Sequence, residues 1–272
     1  MKRHIRTRLV IRVGTALLVL SFATLVSAQE PKQKQPDKTP TSGVQKRTYD
    51  FKEAGKEMEY GLFVPSKYDK AKKTPLMVAL HGLSSNPQQI LRYPGLTDLA
   101  EEYGYIVAAP MGYNDHGWYG NKPPFGRKPD PENLFELSEK DVMNVMEIVR
   151  KNYTIDANRI YLMGHSMGGG GTFHIGIKNP ALFAALAPIA PAIFARPSEL
   201  EKIKNVPIIL VQGDRDNLVK VEMVRPWADK MKELKMAYEY IEVPGGGHVD
   251  VAFKNLDKIF EFFEKHPKVT KK

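Results

Sequence analysis

Short β-rich runs and helical stripes alternate along most of this chain, and the spacing of apolar positions predicts where each lies. Residues 58–64 read as a strand, and Pro75-Leu-Met-Val-Ala-Leu80 as a fully buried one. A helical stretch over 88–103 leads into a third apolar run, Tyr105-Ile-Val-Ala-Ala109. Ser138, with Asp141 three residues on, predicts a capped helix start. Val142, Val145, Met146 and Val149 follow at i, i+3, i+4 and i+7, which is one face of a helix. Arg150 and Lys151 close its last turn, where cations suit the helix dipole. Next come a strand at 159–163, a glycine-rich turn and a helix to about Lys178. Further strands are predicted at 183–189, 206–211 and 237–243, with a helix over 222–235 between the last two. The final helix shows Leu256, Ile259, Phe260 and Phe263 on one face. Trp227, on the preceding helix, reads as core. Alternation this regular predicts an α/β architecture, a mostly parallel central sheet with helices on both faces. Only 111–137 resists the pattern, being crowded with proline and glycine from Gly117 to Pro131. Irregular segments of that length are either functional or disordered.

The ends of the chain behave differently from this body. Residues 1–28 carry five basic residues (Lys2, Arg3, Arg6, Arg8, Arg12) and no acidic ones. A basic stretch, an apolar run from Val13 to Val26 and then Ser27-Ala28 have the three parts of a secretory signal, with cleavage expected after Ala28. The run is too short for a permanent membrane anchor, which needs about 20 apolar residues. Residues 29–43, rich in proline, lysine and glutamine, read as a disordered linker. The α/β domain is therefore expected over 44–272, in a secreted or periplasmic protein. With 42% hydrophobic and 26% charged residues, that length suits one core. The net charge of +9 suggests nucleic acid, but removing the five leader residues from the 40 basic ones leaves 35 against 31 acidic. So small a surplus predicts no nucleic-acid partner. The chain has no cysteine, so neither disulfides nor an N-terminal lipidated cysteine can exist.

Four loops carry the candidate chemistry. Gly164-His-Ser-Met-Gly168 follows a predicted strand and opens a predicted helix, the setting of a nucleophile elbow, which makes Ser166 the candidate nucleophile. Attack on a carbonyl builds negative charge on oxygen, and two preplaced N–H groups must meet it. The backbone N–H of Met167 should be one, and that of Leu83, in Leu80-His-Gly-Leu83 after the buried strand, the other. His81 reads as a packing residue. A third loop, Gln212-Gly-Asp-Arg-Asp-Asn217, holds Asp214 and Asp216, either of which can orient a base. The fourth, Pro244-Gly-Gly-Gly-His248, supplies that base. Of the other histidines, His4 leaves with the leader, His116 lies in the irregular segment and His266 in the tail. His165 and His174 flank the elbow helix and read as packing residues. His165, next to the nucleophile, is also a candidate substrate contact, together with Trp118 and Tyr119 of the irregular segment. No histidine spacing suggests a metal site, and the chemistry requires no cofactor.

Over about residues 49–266 the chain resembles secreted α/β-hydrolases of the polyhydroxybutyrate depolymerase-like, feruloyl or acetylxylan esterase-like and prolyl-oligopeptidase-like group. The marks are Leu80-His-Gly82, Ala109-Pro110, Ile155-Asp156 with Arg159-Ile-Tyr161, and the elbow. Gly213-x-x-Asp216-x-x-Val219 and Gly246-Gly-His248 complete them. The resemblance implies Asp216 as the acid, and the order Ser166, Asp216, His248. Gln212 stands where the group often has histidine, a departure read as having no catalytic consequence. The expected activity is hydrolysis of carboxylic esters on plant polysaccharide or polyester, through an acyl-enzyme. A serine peptidase related to the prolyl oligopeptidase catalytic domain is the alternative, but about 230 residues leave no room for that family's large gating domain. A non-catalytic binding protein on the same scaffold is the third reading.

Overall fold

A computed structural model describes residues 43–269 except 125 and 127, so the leader and nearly all of the linker lie outside the described residues. Among the described residues, eight strands form one sheet. They are β1 (Gly43–Phe51), β2 (Lys56–Val64), β3 (Thr74–Leu80), β4 (Ile106–Pro110), β5 (Ile155–His165), β6 (Ala185–Ile189), β7 (Ile208–Gly213) and β8 (Tyr238–Val243). Their order is β1-β2-β4-β3-β5-β6-β7-β8. β2 runs antiparallel to both β1 and β4, and from β4 to β8 every pairing is parallel.

Alternation along the strands builds two cores, one on each face. In β3, Leu76, Val78 and Leu80 point to one face while Met77 and Ala79 point to the other. The first face is covered by α3 (Leu134–Asn152) through Val142, Val145, Met146 and Val149, by α4 (Met167–Lys178) through Phe173 and Ile175, and by α5 (Val221–Glu233) through Val224, Trp227 and Met231. The second is covered by α1 (Pro87–Leu91), α2 (Leu96–Tyr103) and α7 (Leu256–Lys265), with Ile90, Leu96, Ile259, Phe260 and Phe263 buried. A short α6 (Val251–Lys254) precedes α7. Sheet and helices thus follow the predicted layers, and Trp227 is core as expected.

Three local expectations need correction. The stretch over 88–103 is two helices rather than one, broken where Pro94 disfavours helix before it and Gly95 turns with φ 87°. β1 begins at Gly43, inside the span read as linker; its alternating half-buried and exposed residues mark an edge strand. Finally, Ser138 and Asp141 do not open α3. The helix starts at Leu134, one turn earlier, and both side chains point into the protein.

There they anchor the irregular segment instead. Ser138 Oγ accepts from the Tyr119 N–H at 2.9 Å, and Asp141 accepts from the Gly112 N–H at 2.6 Å and from the Tyr49 hydroxyl. Burial pushes the Asp141 carboxyl up to about 6 despite those donors. Removing the acceptor should matter more than removing its charge. We expect Asp141→Ala to cost about 2–4 kcal/mol in urea unfolding, because two donors lose their partner. Asp141→Asn, which keeps an acceptor without a buried charge, should cost clearly less; equal losses would show that the hydrogen bonds are not what the carboxylate contributes.

Candidate active site

Strand β5 turns into α4 across a single residue, Ser166, whose φ of 57° and ψ of −114° are strained for any residue with a Cβ. Two close approaches force the turn. A methyl group on Gly164 would collide with the Gly168 carbonyl, and one on Gly168 with the Leu80 carbonyl, so glycine is required at both. Ser166 is held from both sides: its N–H donates to Ile189 O at 2.9 Å, and its carbonyl accepts from Gly170 and Ala192 at 3.0 Å each. Its side chain stays partly exposed at the carboxyl ends of the parallel strands.

Met167 is the first residue of α4, where backbone N–H groups have no partner within the helix. Leu83 follows Gly82, and a Cβ built on Gly82 would lie 3.5 Å from that of Ser166. The two expected oxyanion donors therefore belong to backbone flanking Ser166. His81 is buried, its ring nitrogens 2.8 Å from Gly82 O and 2.9 Å from Met111 O, and burial lowers its pKa. It staples the loop after β3 to the loop after β4, the structural part the sequence suggested.

Asp216 and His248 meet: His248 Nδ1 lies 2.7 Å from Asp216 Oδ2. The other carboxylate oxygen accepts the N–H groups of Leu218 and Val219 at 2.8 Å each. A carboxylate receiving backbone donors in this way is an acceptor, so the proton between it and the imidazole sits on Nδ1. His248 Nε2 is then left with its lone pair, the form a general base needs. Asp214, the rival acid, is exposed and instead accepts the Gly245 N–H at 2.7 Å, tying the acid loop to the base loop.

Two expectations change at this site. Tyr119 is fully buried, its hydroxyl donating to His81 O at 3.3 Å, so it pins the segment and offers no wall to a substrate. Trp118 is partly exposed and packs on Phe194 with ring centroids 5.1 Å apart. His165 is not an open substrate contact: it is buried, with Nδ1 2.8 Å from the Tyr93 hydroxyl and Nε2 2.8 Å from His248 O. It joins the loop of the base to the residue before the nucleophile. Gln212 is buried, and its Nε2 donates to Val219 O at 2.8 Å and lies 3.3 Å from Asp216 Oδ2. Its position before Gly213 could have signalled this. Tyr93 carries no such signal, because it sits in a stretch that reads as continuous helix.

Sheet order, strained elbow and acid–base pair define an α/β-hydrolase. A family model described as "Putative esterase" matches residues 52–260, and the chain belongs to that esterase family. "Putative esterase NocK" of Nocardia uniformis subsp. tsuyamanensis is 26% identical over 226 residues, which are 76% of this chain and 64% of that protein. "Feruloyl esterase B" of Neurospora crassa is 32% identical over 141 residues, 49% of this chain and 44% of its own. The chain thus spans less than two thirds of either relative. A crystal structure described as a thermostable esterase superposes with a TM-score of 0.62 at 27% identity, covering 83% of this chain and 63% of that one.

Burial, then the neighbouring His248, pulls the His165 imidazole down to about 4. The unfolded chain, with a histidine value of about 6.5, therefore takes up this proton first as pH falls. The stability tied to it is complete above pH 6.5 and is lost between 6.5 and 4. Relative to His165→Gln, the wild type should lose roughly 3 kcal/mol of unfolding free energy between pH 7 and pH 4. Urea titrations across that range check this, and parallel curves for the two proteins would refute it.

Proposed function

We propose that this protein is an exported serine hydrolase that cleaves carboxylic esters, with Ser166, His248 and Asp216 as its triad. Ser166 Oγ attacks the acyl carbonyl while His248 Nε2 takes its proton, and Asp216 stabilises the imidazolium through Nδ1. The N–H groups of Met167 and Leu83 receive the developing oxyanion. His248 then protonates the departing alkoxide. A water that gives its proton to His248 attacks the acyl-enzyme, releasing the carboxylic acid and restoring the serine. The observation that carries this reading is the 2.7 Å Asp216–His248 pair, on a loop tied through His165 to the strained serine.

The surroundings support an ester with an apolar part. Leu83, Leu218 and Val249 are 50%, 75% and 64% exposed, and each belongs to a different loop carrying the site. Large apolar side chains left open there suit contact with an apolar acyl chain, aromatic acid or polyester surface. The family relationship supports an ester substrate and the feruloyl esterase relative an aromatic acyl group; esters of plant polysaccharide or polyester are the class we propose. Residues 1–28 support export.

Hydrolysis of p-nitrophenyl acetate should vanish in Ser166→Ala. Asp216→Asn should lower kcat by about 10⁴, because the amide no longer enforces the Nδ1–H tautomer. A fluorophosphonate probe should label Ser166 in the wild type and leave Ser166→Ala unmarked. Faster turnover of peptide anilides than of any ester in an acetyl, butyryl, feruloyl and polyester panel would turn the assignment to a peptidase. An unlabelled serine in folded protein would end the enzymatic reading.

A further inference from the structure

The base loop contains Gly245, Gly246 and Gly247 immediately before His248, and three glycines leave its backbone free to take many paths. What holds the loop must come from outside it. Gly245 N–H is held by Asp214, Gly246 O accepts from Arg215 N–H at 3.0 Å, and Gly247 N–H donates to Asp250 Oδ1 at 2.7 Å. The bond to the backbone of the base residue comes from His165, whose Nε2 lies 2.8 Å from the His248 carbonyl.

The chemistry of these partners sets the proton positions. A carbonyl only accepts, so Nε2 of His165 carries hydrogen. In neutral imidazole Nδ1 is then a lone pair, and the group 2.8 Å from it is the Tyr93 hydroxyl, which donates. Burial pushes that hydroxyl up to about 12, so it keeps its proton, and burial keeps His165 neutral. Neutrality matters here, because the His165 and His248 rings have centroids 4.9 Å apart. A cation at 165 would repel the imidazolium that forms on His248, while an aliphatic side chain could not hold its carbonyl. A neutral donor meets both demands.

We propose that Tyr93 and His165 form a positioning relay for the base: Tyr93 selects the tautomer of His165, and His165 fixes the backbone of His248. Neither touches the reacting atoms. The inference rests on His248 being the base. Misplacing a catalytic group by about 1 Å costs about 100-fold in rate, which sets the scale of the expected effects.

The test compares Tyr93→Phe, His165→Leu, His165→Gln and His248→Ala with the wild type. It uses p-nitrophenyl acetate kinetics, the rate of fluorophosphonate labelling and ¹⁵N spectra of the imidazoles. His165→Leu should lower kcat by about 100-fold with KM little changed, and Tyr93→Phe by about tenfold. His165→Gln, which keeps one donor and one acceptor, should recover most of the kcat lost in His165→Leu. In the wild-type spectrum His165 should carry its proton on Nε2, and Tyr93→Phe should mix the two tautomers. If folded His165→Leu keeps kcat within threefold of wild type, or if the proton lies on Nδ1, the relay is wrong. Should His165→Leu fail to fold, Tyr93→Phe and the wild-type spectrum decide. His248→Ala separates the two levels: if it is labelled as fast as wild type, the base assignment fails, whereas its inactivity beside a fully active His165→Leu overturns the relay alone.

Discussion

The tight passage of strand β5 into helix α4 is the constraint on which the rest of this structure depends. Gly168 lies so close to the Leu80 carbonyl that no larger residue fits, and this contact brings the first turn of α4 against the end of β3. Ser166 takes its strained angles because the chain must reverse in that space. Strain at a single residue costs of order 1–3 kcal/mol and survives only where the surroundings dictate it. Here they do: β5 pairs with β3 and β6, and Ser166 is hydrogen-bonded to the chain after β6. The same approach sets Gly82 beside the serine, so one contact places both Ser166 and the backbone proposed to meet an oxyanion.

From that point the direction of each hydrogen bond follows from its neighbours. As a carboxylate, Asp216 accepts from Leu218 and Val219 at one oxygen and from His248 at the other, which leaves Nε2 of that ring free. On the far side, the His248 carbonyl can only accept, so His165 must donate, and Tyr93 must donate to His165. His248 is thus held through its side chain by a carboxylate and through its main chain by a neutral imidazole. The two histidines in contact have opposite tautomers, Nδ1–H on His248 and Nε2–H on His165. Each is specified by an oxygen whose own donors or protonation leave no other choice.

Much of this was legible in the sequence, for identifiable reasons. Ser166, Asp216 and His248 each sit in a glycine-containing loop after a strand, and such loops keep their local signature whatever the distance between them. Helix faces such as Val142 to Val149 and Leu256 to Phe263 were readable because burial on one side imposes a period. What escaped depended on contacts between distant segments. Ser138 and Asp141 have the spacing of a helix cap, yet tertiary donors at Tyr119 and Gly112 claim them inside α3. Tyr119 and Trp118 looked equivalent, but one is buried under His81 and the other packs at the surface on Phe194. The role of Tyr93 depends on His165, 72 positions away, and no local pattern reports such a pairing.

The irregular segment between β4 and α3 shows why such pairings matter to the site. The segment is held to α3 by its Tyr119 and Gly112 N–H groups, to the stretch after β6 by the Asn121 side chain, whose Nδ2 donates to Ala192 O at 2.8 Å, and to the loop after β3 by Met111 O at His81. Two of these elements, the stretch after β6 and the loop after β3, also flank Ser166 and the candidate oxyanion backbone. A segment without regular structure normally contributes freedom, since its backbone groups find water rather than each other. Here side chains from α3 and β3 take up those groups, so it acts as a brace across the loops it borders. Trp118 is left partly exposed on that brace, in a fixed orientation against Phe194. The segment can therefore present an aromatic surface without the ordering cost that a mobile loop would incur on binding.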